Sequence, residues 1–96
     1  MKIRVTGYMR FKGVIGSQVS IVLEIEKPTL KDALIALSLQ YGRELEDMVF
    51  DPSNKEVKRS VLILLNGQPY LNLKGRLNSE LKDGDEIAFC PLMTGG

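Results

Sequence analysis

Apolar and polar residues alternate over residues 2–9, where Ile3, Val5 and Met9 share one face and Gly7 falls in register with them. A period of two predicts a half-buried strand. Residues 12–17 carry Gly13 and Gly16 and read as a loop. Beyond it Val19, Ile21, Leu23 and Ile25 alternate with Ser20, Glu24 and Glu26. Two such strands joined by a short loop predict an antiparallel hairpin. The period then lengthens. Leu30, Ala33, Leu34, Leu37 and Tyr41 recur at helical spacing, so a helix is expected with Thr29 as its N-cap. Asp32 completes a variant capping box, and Gly42 supplies the stop.

Residues 43–60 are less regular. Leu45, Met48, Val49 and Phe50 suit a short helical or irregular segment over the edge of the core, and residues 51–60 read as an exposed loop. The unbroken apolar run Val61, Leu62, Ile63, Leu64, Leu65 predicts a strand buried on both faces and therefore central. A short strand is expected over residues 70–73, core anchors at Leu77 and Leu81, a turn at Asp83 and Gly84, and a last strand over residues 86–90. Because a helix and a loop separate the central strand from the first, those two are expected to pair in parallel by a crossover. The fold class predicted is α+β: a mixed sheet of four to five strands with one main helix packed across it. A single domain over residues 1–96, with a flexible tail at 91–96, is the expected organisation.

Composition narrows the chemistry. With 13 basic and 12 acidic residues the formal charge is +1, which removes the electrostatic argument for nucleic acid or a membrane surface as partner. There is no histidine, so imidazole triads, shuttles and metal sites are excluded. The single cysteine, Cys90, has neither a disulfide partner nor a nearby cationic cluster to activate it, and reads as structural. Asp83, Asp85 and Glu86 lack the alternating ligands of a calcium loop and read as a turn before a strand, so no metal is expected. Glu44, Glu46 and Asp47 read as a solvated surface. Arg10 and Lys12, or Lys55, Lys58 and Arg59, read as solvated loops or as rim charges facing an acidic partner. Met9, Leu92 and Met93 suit either ordinary packing or an adaptable contact. No apolar run reaches the ~18 residues of a membrane span, and the first residues carry no apolar signal core. A cytoplasmic protein without a membrane partner is expected.

The remaining chemistry is in the last six residues, Pro91, Leu92, Met93, Thr94, Gly95 and Gly96. At ~7% glycine usage, two closing glycines arise by chance in roughly 0.5% of chains. Without Cβ atoms, Gly95 and Gly96 can thread a channel too narrow for a side chain and deliver the α-carboxylate into another protein's site. That group is ionised at neutral pH, with a reference pKa near ~3.5. Six extended residues span at most ~20 Å.

Residues 81–96, Leu-Lys-Asp-Gly-Asp-Glu-Ile-Ala-Phe-Cys-Pro-Leu-Met-Thr-Gly-Gly, resemble the C-terminal signature of the ubiquitin-like sulfur carriers, and most of all that of the molybdopterin synthase small subunit. Cys90 stands where that family usually has an aromatic, Leu92 where it has a second proline, and Met93 where it has valine. The order of elements is similar over the whole chain. The resemblance implies the β-grasp, ubiquitin-like fold. It also implies that the closing pair is the reactive site, with Gly96 carrying the sulfur-donating carboxyl or thiocarboxyl and Gly95 beside it. A partner ATP-using, E1-like activating enzyme adenylates its carboxylate, and sulfur transfer then makes a thiocarboxylate. The tail donates that sulfur to a pterin precursor in the large catalytic subunit of molybdopterin synthase, towards a molybdenum or tungsten cofactor. By the same resemblance Phe89, Pro91, Leu92, Met93 and Thr94 meet the partners. The chain itself is expected to bind no cofactor and to have no independent active site. A ubiquitin-like modifier of lysines, or a carrier serving transfer-RNA thiolation or thiazole synthesis, is the alternative.

Overall fold

β1 (Lys2–Gly7) lies antiparallel to β2 (Val19–Val22) and parallel to β5 (Glu86–Pro91) in a computed structural model that describes residues 1–92. β3 (Val61–Leu65) runs antiparallel to β5 and to the two-residue β4 (Gln68–Pro69). Across the sheet the order is β2-β1-β5-β3-β4. Three helices, α1 (Arg10–Ile15), α2 (Leu30–Tyr41) and α3 (Arg43–Val49), join two short 3-10 turns at Tyr70–Asn72 and Arg76–Asn78. The architecture is the mixed-sheet α+β arrangement predicted.

The alternating pattern sets the faces. Ile3, Val5, Ile21, Ile63, Ile87 and Phe89 point to one side and are buried against Leu30, Ala33, Leu34 and Leu37 of α2. α2 begins as its sequence predicts: the Thr29 N–H donates to Asp32 Oδ2 at 2.9 Å, and the Asp32 N–H donates back to Thr29 Oγ1 at 3.3 Å.

The structure corrects several expectations. The central strand is β5, not β3, and it is β5 that runs parallel to β1. Only one face of β3 is fully buried, since Leu62 and Leu64 are half-buried on the other. The glycine-bearing loop at 12–17 is mostly α1, whose Phe11 and Ile15 are buried one turn apart. Gly13 sits where a Cβ would meet open space, and Gly16, at φ 100°, caps the helix. In place of the strand expected over residues 70–73, Tyr70–Asn72 form a 3-10 turn. Among the described residues, no helix is long and apolar enough to cross a membrane.

Candidate functional site

β5 carries the chain from the core to its last residues, and the backbone shows how. The Tyr8 N–H donates to the Phe89 carbonyl at 2.9 Å, just where β1 has ended. On the other side β3 continues: Cys90 lies opposite Leu62, Pro91 opposite Val61, and the Leu92 N–H donates to the Ser60 carbonyl at 2.8 Å. Since Phe89 faces β1 and Leu92 faces β3, the alternation of a strand turns the missing N–H of Pro91 towards the side β1 has vacated. Proline there forfeits no ladder bond. Of the tail expected at 91–96, Pro91 and Leu92 are instead tied to the sheet, and the remaining four residues lie outside the described part.

Phe89 is fully buried, its ring centroid 5.8 Å from that of Phe11. Its side chain is thus unavailable to a partner, which corrects its place among the contact residues: it anchors the strand from inside. Pro91 is half-buried and Leu92 is 44% exposed. Met93, Thr94, Gly95 and Gly96 lie outside the described residues.

The turn that launches β5 is built from the acidic residues. Lys2 donates its N–H to Asp83 Oδ1 at 2.7 Å, and Gly84, at φ 89°, donates its own to the Lys2 carbonyl at 2.8 Å. Asp85 accepts from the Lys82 N–H at 2.8 Å and from Asn66 Nδ2 at 3.0 Å, while Asn66 Oδ1 accepts the Glu86 N–H at 2.9 Å. These carboxylates fix the register of β5 between its neighbours. Asn66, whose side chain spans two strands, was legible only as the end of an apolar run. Among the described residues, no group of three or more His, Cys, Asp or Glu could hold a metal ion.

Three surfaces flank the end of β5. On the open face of the sheet, Leu62 and Leu64 of β3 stand opposite Cys90 and Ala88 of β5 and give it an apolar centre. The same alternation that buries Ile87 and Phe89 could have located this patch. Beside the end of β5, Tyr8 and Met9 are 49% and 61% exposed, and Met9 has φ 55° and ψ −123°, a backbone conformation suited to glycine. On the β3 side, a cleft of about 420 Å³ is lined by Asp51, Lys58, Arg59 and Ser60 among others. Ser53 donates its hydroxyl and its N–H to Asp51 Oδ1 at 2.6 and 2.9 Å; these bonds hold that carboxyl below the usual carboxylate range, with Lys58 adding to the effect. Lys55 and Arg59 are exposed, Lys58 is half-buried, and Glu44, Glu46 and Asp47 are exposed on α3.

A mixed sheet holding one long helix, with its central strand leading out to the closing residues, is the architecture of a ubiquitin-like β-grasp protein. The chain belongs to the ThiS family, whose model matches residues 10–96, a family of ubiquitin-like sulfur carriers and modifiers. The crystal structure of SAMP1 from Haloferax volcanii is similar at 27% identity, covering 100% of both chains, with a TM-score of 0.81. The solution structure of small archaeal modifier protein 1 from Methanosarcina acetivorans is 25% identical, over 99% of this chain and 96% of that one, with a TM-score of 0.81. A candidate molybdopterin converting factor, subunit 1, from Pyrococcus furiosus shares the fold at 23% identity and a TM-score of 0.73, over 96% of this chain and 98% of that one. No curated protein sequence matches the chain.

Proposed function

We propose that this protein is a sulfur carrier of the molybdopterin synthase small-subunit type, acting through the carboxyl group of Gly96. The observation that carries the reading is β5 itself: a core-anchored strand, tied on one side only beyond Phe89, leads towards Gly95 and Gly96. An oxygen of the Gly96 carboxylate attacks the α-phosphorus of ATP on an E1-like activating enzyme, and pyrophosphate leaves. A sulfide equivalent then displaces AMP from the acyl adenylate, leaving a thiocarboxylate. The carrier's own part is presentation. Pro91 has a fixed φ, which lowers the entropy cost of offering the tail. Leu92 and the patch of Leu62, Leu64 and Cys90 supply apolar contact to the activating enzyme and to the large subunit of molybdopterin synthase. A dithiolene takes two sulfurs and each carrier brings one, so binding must be reversible, on the scale of ~8–12 kcal/mol.

Incubation with the activating enzyme, ATP and sulfide should raise the intact mass by one oxygen-to-sulfur exchange located at Gly96. An unchanged mass beside an enzyme proven active on another carrier would overturn the proposal. A second reading, attachment to lysines, is favoured by the names of the two modifier proteins at 27% and 25% identity. The two readings share the adenylation and part at the acceptor. Isopeptide adducts on lysine side chains in the native cell select the modifier; sulfur delivered to a pterin precursor selects the carrier.

A further inference from the structure

The two edges of the sheet are treated differently. β4 has two residues, one of them Pro69, and runs directly into a 3-10 turn; such an edge cannot template another strand. β2 has no comparable protection. Residues 17–25, Ser-Gln-Val-Ser-Ile-Val-Leu-Glu-Ile, contain one charge and neither proline nor glycine.

Which of its backbone groups are free follows from the ladder. Leu23 donates its N–H to the Met1 carbonyl at 2.8 Å, and the Met1 ammonium donates to the Leu23 carbonyl at 3.1 Å. Stepping by two along the register, Ile3 with Ile21 and Val5 with Val19 are the pairs that exchange hydrogen bonds. Lys2 and Arg4 face the other way: the Arg4 N–H donates to the Asp85 carbonyl, and the Lys2 carbonyl accepts from Gly84. Ser20 and Val22 therefore turn both N–H and C=O outwards, to the open edge. Both are exposed, Val22 to 65%.

We infer that β2 is a self-pairing edge, taking as its occupant β2 of a second copy of this chain, antiparallel about a twofold axis at Ile21. In that register Ser20 exchanges two hydrogen bonds with Val22 of the second copy, and Val22 two with its Ser20. Ile21 meets its own equivalent at the closely spaced pair, and Val19 meets Leu23, so the core-facing stripe continues apolar across the junction. The charges agree with this occupant. Glu24 falls opposite Gln18, and no two like charges face each other. The cationic Lys2 and Arg4 of the two copies stay about three strand spacings apart, ~14 Å, beyond the ~8 Å screening length of physiological salt. Four backbone bonds on one edge amount to far less than a standard interface of ~1,600 Å², so the association is weak and concentration-dependent. It rests on the backbone of β2, not on the tail, and so stands or falls apart from the proposed function.

Sedimentation equilibrium up to millimolar protein should show wild-type chain passing from monomer to dimer. The variant Ser20→Glu with Val22→Glu keeps its fold, since within the chain those positions face Arg4 and Lys2. Between copies it sets carboxylates directly opposite, twice, and dimerisation should weaken about tenfold. The variant Ser20→Glu with Val22→Lys puts opposite charges across the same junction and should dimerise as well as wild type. A wild-type chain that stays monomeric overturns the inference and leaves the edge to a foreign strand. Undiminished dimerisation of the double-glutamate variant, or loss of it in the opposite-charge variant, overturns the surface or the register respectively.

Discussion

Gly7 shows how much one absent methyl group can decide. A Cβ there would lie 2.8 Å from both the Gly16 and Phe11 carbonyl oxygens, because α1 folds back against the end of β1. Neither backbone oxygen can swing aside like a flexible side chain, so Gly7→Ala should cost about 1–3 kcal/mol. For a domain of this size each kcal/mol corresponds to about 4–8 °C in Tm, which thermal unfolding by circular dichroism will read. In the sequence Gly7 was visible only as a gap in the strand's alternation, because the close approach is a tertiary fact. Asp83, Asp85 and Glu86 were legible as a turn for sound reasons, but the sequence could not say that Asp83 reaches the N–H of Lys2. Asp51 gives a second test. Its carboxyl is depressed in the folded state by the Ser53 bonds, so their stabilising effect is present above the unfolded pKa of about 3.9 and is lost as pH falls through the folded value. Ser53→Ala should move the Asp51 titration, followed by carboxyl-carbon NMR, back up towards the ordinary range and flatten that part of the acid limb.

At the scale of elements, legibility followed locality. α2 was readable to both ends because its stripe, its capping box and its glycine stop all lie within residues 29–42. α1 was not: two glycines outweighed the pair Phe11 and Ile15, and six residues are too few for a period to assert itself. The place of β3 was not legible because a run of apolar residues looks the same beside the central strand as in it. Strand order is set by which edge the final segment finds, and β5 inserts between β1 and β3. That insertion separates two kinds of residue at the candidate site. Phe89→Leu should lower stability by about 1–2 kcal/mol, less than the ~3–5 of a phenylalanine-to-alanine cavity. Well below the lowered Tm it should still accept sulfur at the wild-type rate. Leu92→Ser, at an exposed side chain held by its backbone N–H, should leave Tm unchanged and raise the KM for the carrier in the activating-enzyme assay. If the Phe89 variant loses acceptance while folded, the strand's interior residue acts on the partner after all.

On the proposed function, the whole molecule divides its labour between a packed body and a short chemical end. Among the described residues the core runs from Ile3 to Phe89, and the last sheet bond joins the Leu92 N–H to the Ser60 carbonyl. The closing signature was the most legible feature of the sequence because its meaning is chemical and local. The apolar patch of Leu62, Leu64 and Cys90 was the least, since it exists only once β3 and β5 lie side by side. From this division follows a prediction in two readouts. Removing Gly95 and Gly96 subtracts no buried apolar area from the described core, so Tm should stay within about 1 °C of wild type, far inside the 4–8 °C that a single kcal/mol would move it. The shortened chain presents the carboxylate of Thr94, whose branched Cβ cannot follow where glycine passes, and thiocarboxylate formation should fall to background. The full-length variant Gly96→Ala tests the channel alone: it keeps the length and the carboxylate but adds one Cβ at the reacting residue. Acceptance well below wild type in that variant, with unchanged Tm, assigns the loss to passage of the terminus into its partner. Full acceptance would mean that the reaction needs a chain end at this distance from the sheet and is indifferent to its width.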